Sequence, residues 1–261
     1  MRAMEEKDWN DDSLTMTTVS QHCFRDDSEA PSFYISIIEN MKDEYGLFLW
    51  PCSVVLAEYV WQHIHRFSGA NVVEVLELPC RTWLQQNSVL NNMRRVCDLN
   101  KLECNVLGLT WGVWDSSLFS LQPTIILGAD VLYDSNAFDN LFATVTFLFR
   151  NSPGSTFITS YHNRSGHHLI EFLIGKWGLE CLKLLDGFSF LASDKASLLS
   201  GNIQLAEISL ISKDNAQEMP LKTDTALLCY TLDEEKTLFL FIFRLLNLET
   251  WYQAAIFMDG D

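Results

Sequence analysis

Apolar residues recur along this chain with two alternating periods, one helical and one extended. Over residues 53–67 the period is helical, with Leu56, Tyr59, Val60 and Ile64 on one face at i, i+3, i+4 and i+8. Pro51 suits the first turn of that helix, where its missing N–H would have no partner anyway. Ser68-Gly69 ends it. Asn71-Val72-Val73-Glu74-Val75 is a β-branched run that predicts a short buried strand. Residues 88–99 have a helical period, and 105–109 form a candidate strand. Residues 124–127 are apolar and β-rich, and the small pair Gly128-Ala129 leads from them to Asp130, the profile of a buried strand with a polar tip. Phe138, Leu141, Phe142, Val145, Leu148 and Phe149 then make a helical stripe. A turn at 151–154, a strand at 156–161, a helix at 169–177 and two last strands at 181–191 and 203–211 complete the pattern.

Strands alternating with helices predict an α/β domain with a mostly parallel sheet and helices on both faces. In such sheets ligands sit beyond the carboxyl ends of the strands, so the residues to inspect follow Val75, Leu109, Leu127 and Thr159. Residues 1–30 are polar and acidic without a period and are expected to form a mobile tail. The domain is expected over 31–212. Residues 213–261 form a C-terminal extension of different character, polar over 213–235 and densely apolar over 237–248, with no further strand–helix unit.

Composition adjusts this picture. The 261 residues, 48% hydrophobic, suffice for one large domain with flanking tails. A net charge of −16 repels phosphate backbones and argues against nucleic acid; it favours a basic protein as substrate or partner, or simply keeps the chain in solution. The seven cysteines include no CxxC pair and read as scattered core thiols of a reducing compartment. No signal-peptide pattern opens the first 30 residues, and the apolar stretch from Leu238 to Phe243 is too short to cross a bilayer. The expectation is a soluble protein of the cytoplasm, the nucleus or both, with its oligomeric state open.

Four constellations can carry chemistry. In Gly128-Ala129-Asp130-Val131-Leu132-Tyr133 a strand delivers Asp130 to the sheet edge, where its carboxylate can orient an amine. Tyr133 can present its hydroxyl to the same pocket, although Asp130 can equally cap a following helix. Trp50, just before Pro51, can stack on a flat ring or plug the core. Trp111-Gly112, after the candidate strand at 105–109, offers an apolar wall or simple packing. Glu74 ends the first strand as a hydrogen-bonding acid or an ordinary exposed charge. His162, His167 and His168 have no carboxylate at ligand spacing, so no metal site is expected. The absence of a GxSxG motif argues against a hydrolase nucleophile elbow.

Taken together, the stretches Trp50-Pro51-Cys52-Ser53, Leu56-Ala57-Glu58-Tyr59, Asn92-Met93-Arg94-Arg95-Val96, Leu109-Thr110-Trp111-Gly112, Ile126 to Tyr133, Phe157-Ile158-Thr159-Ser160-Tyr161 and Ile203 to Ile208 resemble the methyltransferase-like protein 23 family. These are class I methyltransferases acting on protein lysine or arginine. The resemblance spans roughly residues 35–211. It implies a Rossmann-like, seven-stranded sheet that binds S-adenosylmethionine and transfers its methyl group to a protein nitrogen. Carried over, Asp130 and Tyr133 match the family's Asp-x-x-Tyr signature and become the catalytic pair. Trp50, Glu74, Trp111, Gly112, Ala129 and Asp130 become the cofactor-binding set.

The resemblance breaks after Glu74. The family continues with a glycine-rich loop, a helix and a second strand ending in an acid. Here Val75-Leu76-Glu77-Leu78-Pro79-Cys80-Arg81 follows, no glycine stands between Gly69 and Gly108, and no GxG occurs anywhere. Glycines in that loop let the backbone approach a cofactor without a Cβ in the way. The interval is about 15 residues short of what a loop, a helix and a strand need. The resemblance therefore implies an incomplete sheet, lacking the second strand and the helix before it. It leaves two readings: a methyltransferase weak or inactive in this form, or a methyltransferase-like scaffold that binds a protein partner without catalysis.

Overall fold

A computed structural model describes residues 17–24, 33–40, 50–75, 83–102, 105–114, 116–163 and 167–211. Two strands come first, β1 (Thr17–Phe24) and β2 (Phe33–Asn40), paired antiparallel. There follow α1 (Pro51–Gln62), α2 (Ile64–Phe67), β3 (Val72–Glu74), α3 (Trp83–Leu99), α4 (Ser116–Phe119), β4 (Ile125–Ala129), α5 (Phe138–Asn151), β5 (Thr156–His162), α6 (His167–Lys176), β6 (Leu179–Asp186), α7 (Ser193–Ala196) and β7 (Ile203–Leu210). Among the described residues the main sheet has the order β3-β4-β5-β7-β6. β3, β4 and β5 run parallel, β7 is antiparallel to β5, and β6 is antiparallel to β7, so β7 alone opposes the rest. The expected α/β architecture with a mostly parallel sheet is present.

Burial explains the layering. β4 is buried along Ile125–Gly128, and its residues alternate between two apolar clusters. Ile125 and Leu127 join Val54, Leu56, Ala57 and Val60 of α1, with Val96 and Cys97 of α3 behind them. Ile126 joins the α5 stripe of Phe138, Leu141, Phe142, Val145, Leu148 and Phe149, with Ile170 and Leu173 of α6. Successive strand side chains point to opposite faces, so one strand feeds both clusters. α1 is buried from Pro51 to Val60 all round its circumference. A helix of that kind must be covered on both sides: the sheet lies on one side, and Phe24, Ile35, Ile37 and Ile38 of the β1–β2 pair join the same cluster.

Several sequence expectations need correction. Residues 17–24 are not part of a mobile tail. They form β1, and the pair is pinned to the domain: the Asn100 side chain accepts from Ser36 N–H and donates to Ser36 C=O, and Asn92 donates to Ile38 C=O. The signal is weak in sequence because β1 itself is mostly polar, while the burial that holds it is tertiary. The helix expected over 53–67 divides at His63 into α1 and α2. The strand expected over 181–191 ends at Asp186, where the chain turns. The expected strand at 105–109 is irregular backbone. A strand needs a neighbour to take its N–H and C=O groups, and no strand of the described sheet pairs there. Arg94 donates to Val106 C=O instead. Val106 packs in the α1 cluster while Leu109 and Trp111 pack in the α5 cluster, so this segment crosses from one face of the sheet to the other. Five strands, not seven, form the sheet among the described residues. Residues 1–16 and 213–261, including the apolar run from Leu238 to Phe243, lie outside the described residues. No helix among the described residues is long and apolar enough to cross a membrane.

Candidate functional site

Parallel strands bring their carboxyl ends to one edge of the sheet, and the site forms there. β3 ends with Glu74 opposite Leu127, and Val75 N–H donates to Leu127 C=O at 2.8 Å. β4 continues past Ala129 to Asp130, whose N–H donates to Ser160 C=O of β5 at 2.8 Å. Asp130 then takes φ = +50°, a left-handed conformation that aspartate tolerates better than most residues. This turn takes the carboxylate out of the strand's alternation. It is not a helix cap: α5 starts eight residues on, and Ala137 holds the capping position. Gly128 is set by packing, since a Cβ there would lie 2.8 Å from Val131 Cγ2 and 3.0 Å from the Phe157 ring.

The first turn of α1 comes to the same edge. Pro51 opens the helix behind Trp50, whose carbonyl accepts from Ser53 N–H at 2.8 Å. Cys52 is fully buried, its carbonyl accepting from the Ser160 hydroxyl at 2.6 Å and its thiol donating to Asp130 Oδ1 at 3.4 Å. His162 ends β5 on this edge, and its ring lies against Gly201, where a Cβ would sit 2.7 Å from His162 Cε1. Ligand atoms of Cys52, Asp130 and His162 all lie within 4.8 Å of one another.

The structure thus brings together part of the expected set. Glu74, Ala129 and Asp130 lie at adjacent strand ends, with Asp130 buried and the other two half-buried. Trp50 stands two residues before Cys52 and is half-buried. Tyr133 lies on the exposed turn after Asp130. Trp111 and Gly112 belong to the α5 side: Trp111 packs on the α5 cluster, and Gly112 N–H donates to the Thr144 hydroxyl at 2.9 Å. Gly112 has φ = +75°, and a Cβ would meet Asn140 Oδ1 at 2.8 Å. Close helix packing accounts for that glycine.

Sequence reasoning passed over Cys52 and Ser160, and it sought a carboxylate for the histidines only along the chain. The carboxylate near His162 is Asp130, supplied by the neighbouring strand. Spacing carries no signal of that kind. Buried charge pairs also stand behind the site. Tyr59 donates to Glu207 Oε1, and Arg66 reaches Glu207 Oε2 at 2.8 Å. Burial alone would raise the Glu207 carboxyl, but the Tyr59 hydroxyl and Arg66 guanidinium outweigh it and hold it below its usual value. Tyr59 is pushed up, by burial first and by Glu207 next. On the α5 side, burial pushes Tyr161 up to about 12. Lys195 pairs with buried Glu58 and ties α7 to α1.

An α/β sheet with a buried aspartate turning out of β4, an inner strand, beside the start of an apolar helix, fits a methyltransferase-like fold. No protein-family profile matches the chain, but individual relatives do. Histone-arginine methyltransferase METTL23 of Xenopus laevis is 34% identical over 174 residues, covering 60% of this chain and 74% of that protein. The Mus musculus protein of the same name is 34% identical over 187 residues, 65% of this chain and 74% of its own. The Homo sapiens one is 30% identical over 184 residues, 64% and 97% respectively. The chain belongs to the METTL23 family, as its sequence motifs imply.

Proposed function

We propose that this chain is a protein methyltransferase that uses S-adenosylmethionine and acts on an arginine nitrogen of a basic protein. The carrying observation is Asp130, a buried carboxylate held in a left-handed turn at the carboxyl edge of a parallel sheet. A planar guanidinium presents N–H groups that a carboxylate accepts in a fixed orientation. With the sulfonium donor supplying an already activated methyl, the protein's task is in-line positioning of the nitrogen and exclusion of water. Asp130 would hold the guanidinium, and the Tyr133 hydroxyl, on the exposed lip, would accept a further N–H or relay the departing proton. The name of the curated relatives supports arginine over lysine. A net charge of −16 favours encounter with a basic tail. Cytoplasm and nucleus both fit such a substrate.

The fit to the donor is uneven. Glu74 and Asp130 offer carboxylates at adjacent strand ends, where ribose hydroxyls and the methionyl ammonium would find acceptors, and Trp50 and Ala129 would line the same edge, whereas Trp111 and Gly112 pack on the α5 side. After Val75, however, the sequence offers no glycine until Gly108. That interval favours a second reading, a methyltransferase-like scaffold that binds a protein partner without the donor. Calorimetry with S-adenosylhomocysteine separates the two. Micromolar binding, with methyl incorporation into an arginine-containing histone peptide that D130N abolishes, is the expected result. No heat up to millimolar ligand leaves the scaffold.

A further inference from the structure

We propose that Cys52, Asp130 and His162 form an open three-ligand site for a thiophilic divalent transition-metal ion such as Zn2+. The three come from different elements, the start of α1 and the ends of β4 and β5, yet their ligand atoms lie within 4.8 Å of one another. Metal–ligand bonds of about 2.0–2.3 Å in a tetrahedron set ligand atoms about 3.3–3.8 Å apart. Cys52 Sγ and Asp130 Oδ1, at 3.4 Å, already meet that spacing. His162 needs a closure of at most about 1.5 Å to join them. Thiolate, carboxylate and imidazole suit zinc or cobalt far better than magnesium or calcium, which prefer oxygen alone.

The surroundings hold the three groups in place. The Ser160 hydroxyl fixes the Cys52 carbonyl at 2.6 Å, which sets the first turn of α1 against β5. Asp130 is anchored through its own N–H to Ser160 C=O at 2.8 Å, so one residue of β5 positions two of the ligands. Gly201, at φ = +100°, leaves the space that the His162 ring occupies. Cys52 and Asp130 are buried while His162 is half-buried, so the imidazole marks the way in from solvent. On binding, the thiol hands its proton to water, and the ion's two positive charges are balanced by one thiolate and one carboxylate. A neutral buried site avoids the cost of an unpaired charge. With three protein ligands, a fourth position stays open to water or a small donor.

The site rests on geometry and not on methyl transfer, although a bound ion would take the Asp130 carboxylate which that reaction needs. The test is titration of the full chain with Co2+ under a non-chelating reductant, read in the thiolate-to-cobalt charge-transfer band and the tetrahedral d–d bands. The expected result is one equivalent of Co2+ carrying a thiolate ligand. Binding should weaken at least about tenfold in C52S and in H162A, stay unchanged in C181S and H168A, and be displaced by Zn2+. If C52S does not fold, the half-buried His162 variant carries the same test, with circular dichroism as the check. An absent thiolate band, a band that survives C52S or H162A, or one lost in C181S would overturn the site. Cobalt binding without S-adenosylhomocysteine binding separates its fate from that of the proposed function.

Discussion

The two halves of the sheet obey different rules. From β4 through β5 to β7 every strand has a partner on both sides, and the strands are buried through their middles. On the other side β3 is three half-buried residues, and the next stretch with strand-like composition, 105–109, forms no strand. Val106 and Leu109 are apolar enough to pack, and they do, but in different clusters on opposite faces of the sheet. Strand propensity is thus conditional: a β-rich run becomes a strand only where another strand accepts its hydrogen bonds.

The comparison can be sharpened by experiment. Phe149 is 1% exposed in the α5 cluster, so F149A should cost about 3–5 kcal/mol in urea unfolding. L107A, at a residue 45% exposed in the irregular stretch, should stay within about 0.5 kcal/mol. Comparable losses from the two would erase the distinction. Acidification should come next in size. His22 has its pKa lowered by burial first, against the opposing pull of the Glu58 carboxylate 3.8 Å away, and the Glu207 carboxyl is also held down. A group depressed in the folded state contributes stability above its unfolded value and loses it as pH falls through the folded one. Thermal unfolding should therefore weaken in two stages, first below about 6.5 and then below about 4.5, the ordinary values of these groups. H22Q should flatten the first stage and E207Q the second.

G112A should cost about 1–3 kcal/mol, because its left-handed backbone and the Asn140 contact both oppose a Cβ. A neutral outcome would mean that the 110–112 turn is not held against α5. D130N should change stability by less than about 1 kcal/mol, since asparagine also accepts a left-handed turn. The same change should abolish methyl transfer, so stability and chemistry part at that residue. The smallest effect belongs to the exposed pair of Lys176 and Asp139, at 2.7 Å. K176A should cost no more than about 0.5 kcal/mol and less still in high salt.

Much of the fold was legible in the residues. The α5 stripe, the apolar run before Asp130 and the β-branched segment at 72–74 name their elements, because burial on a helix or a strand imposes a period that composition displays. The position of Asp130 at a strand's carboxyl end could be read the same way, while the family was legible only through the resemblance of the motifs around it. Membership of β1 in the domain could not, since its own residues are mostly polar and only the partners of Phe24, Asn92 and Asn100 reveal it. Nor could the failure of 105–109 to pair.

Local periodicity and the chemistry of single side chains were therefore fixed by the sequence alone, down to the buried aspartate on which the proposed reaction depends. Tertiary structure decided which distant groups meet: Cys52 and His162 at Asp130, Tyr59 and Arg66 at Glu207, and Trp111 on the α5 side rather than beside the aspartate. The physical reason is that a repeat records which way a residue faces, while the identity of its neighbour across a sheet or beneath a helix depends on chain segments tens of residues away.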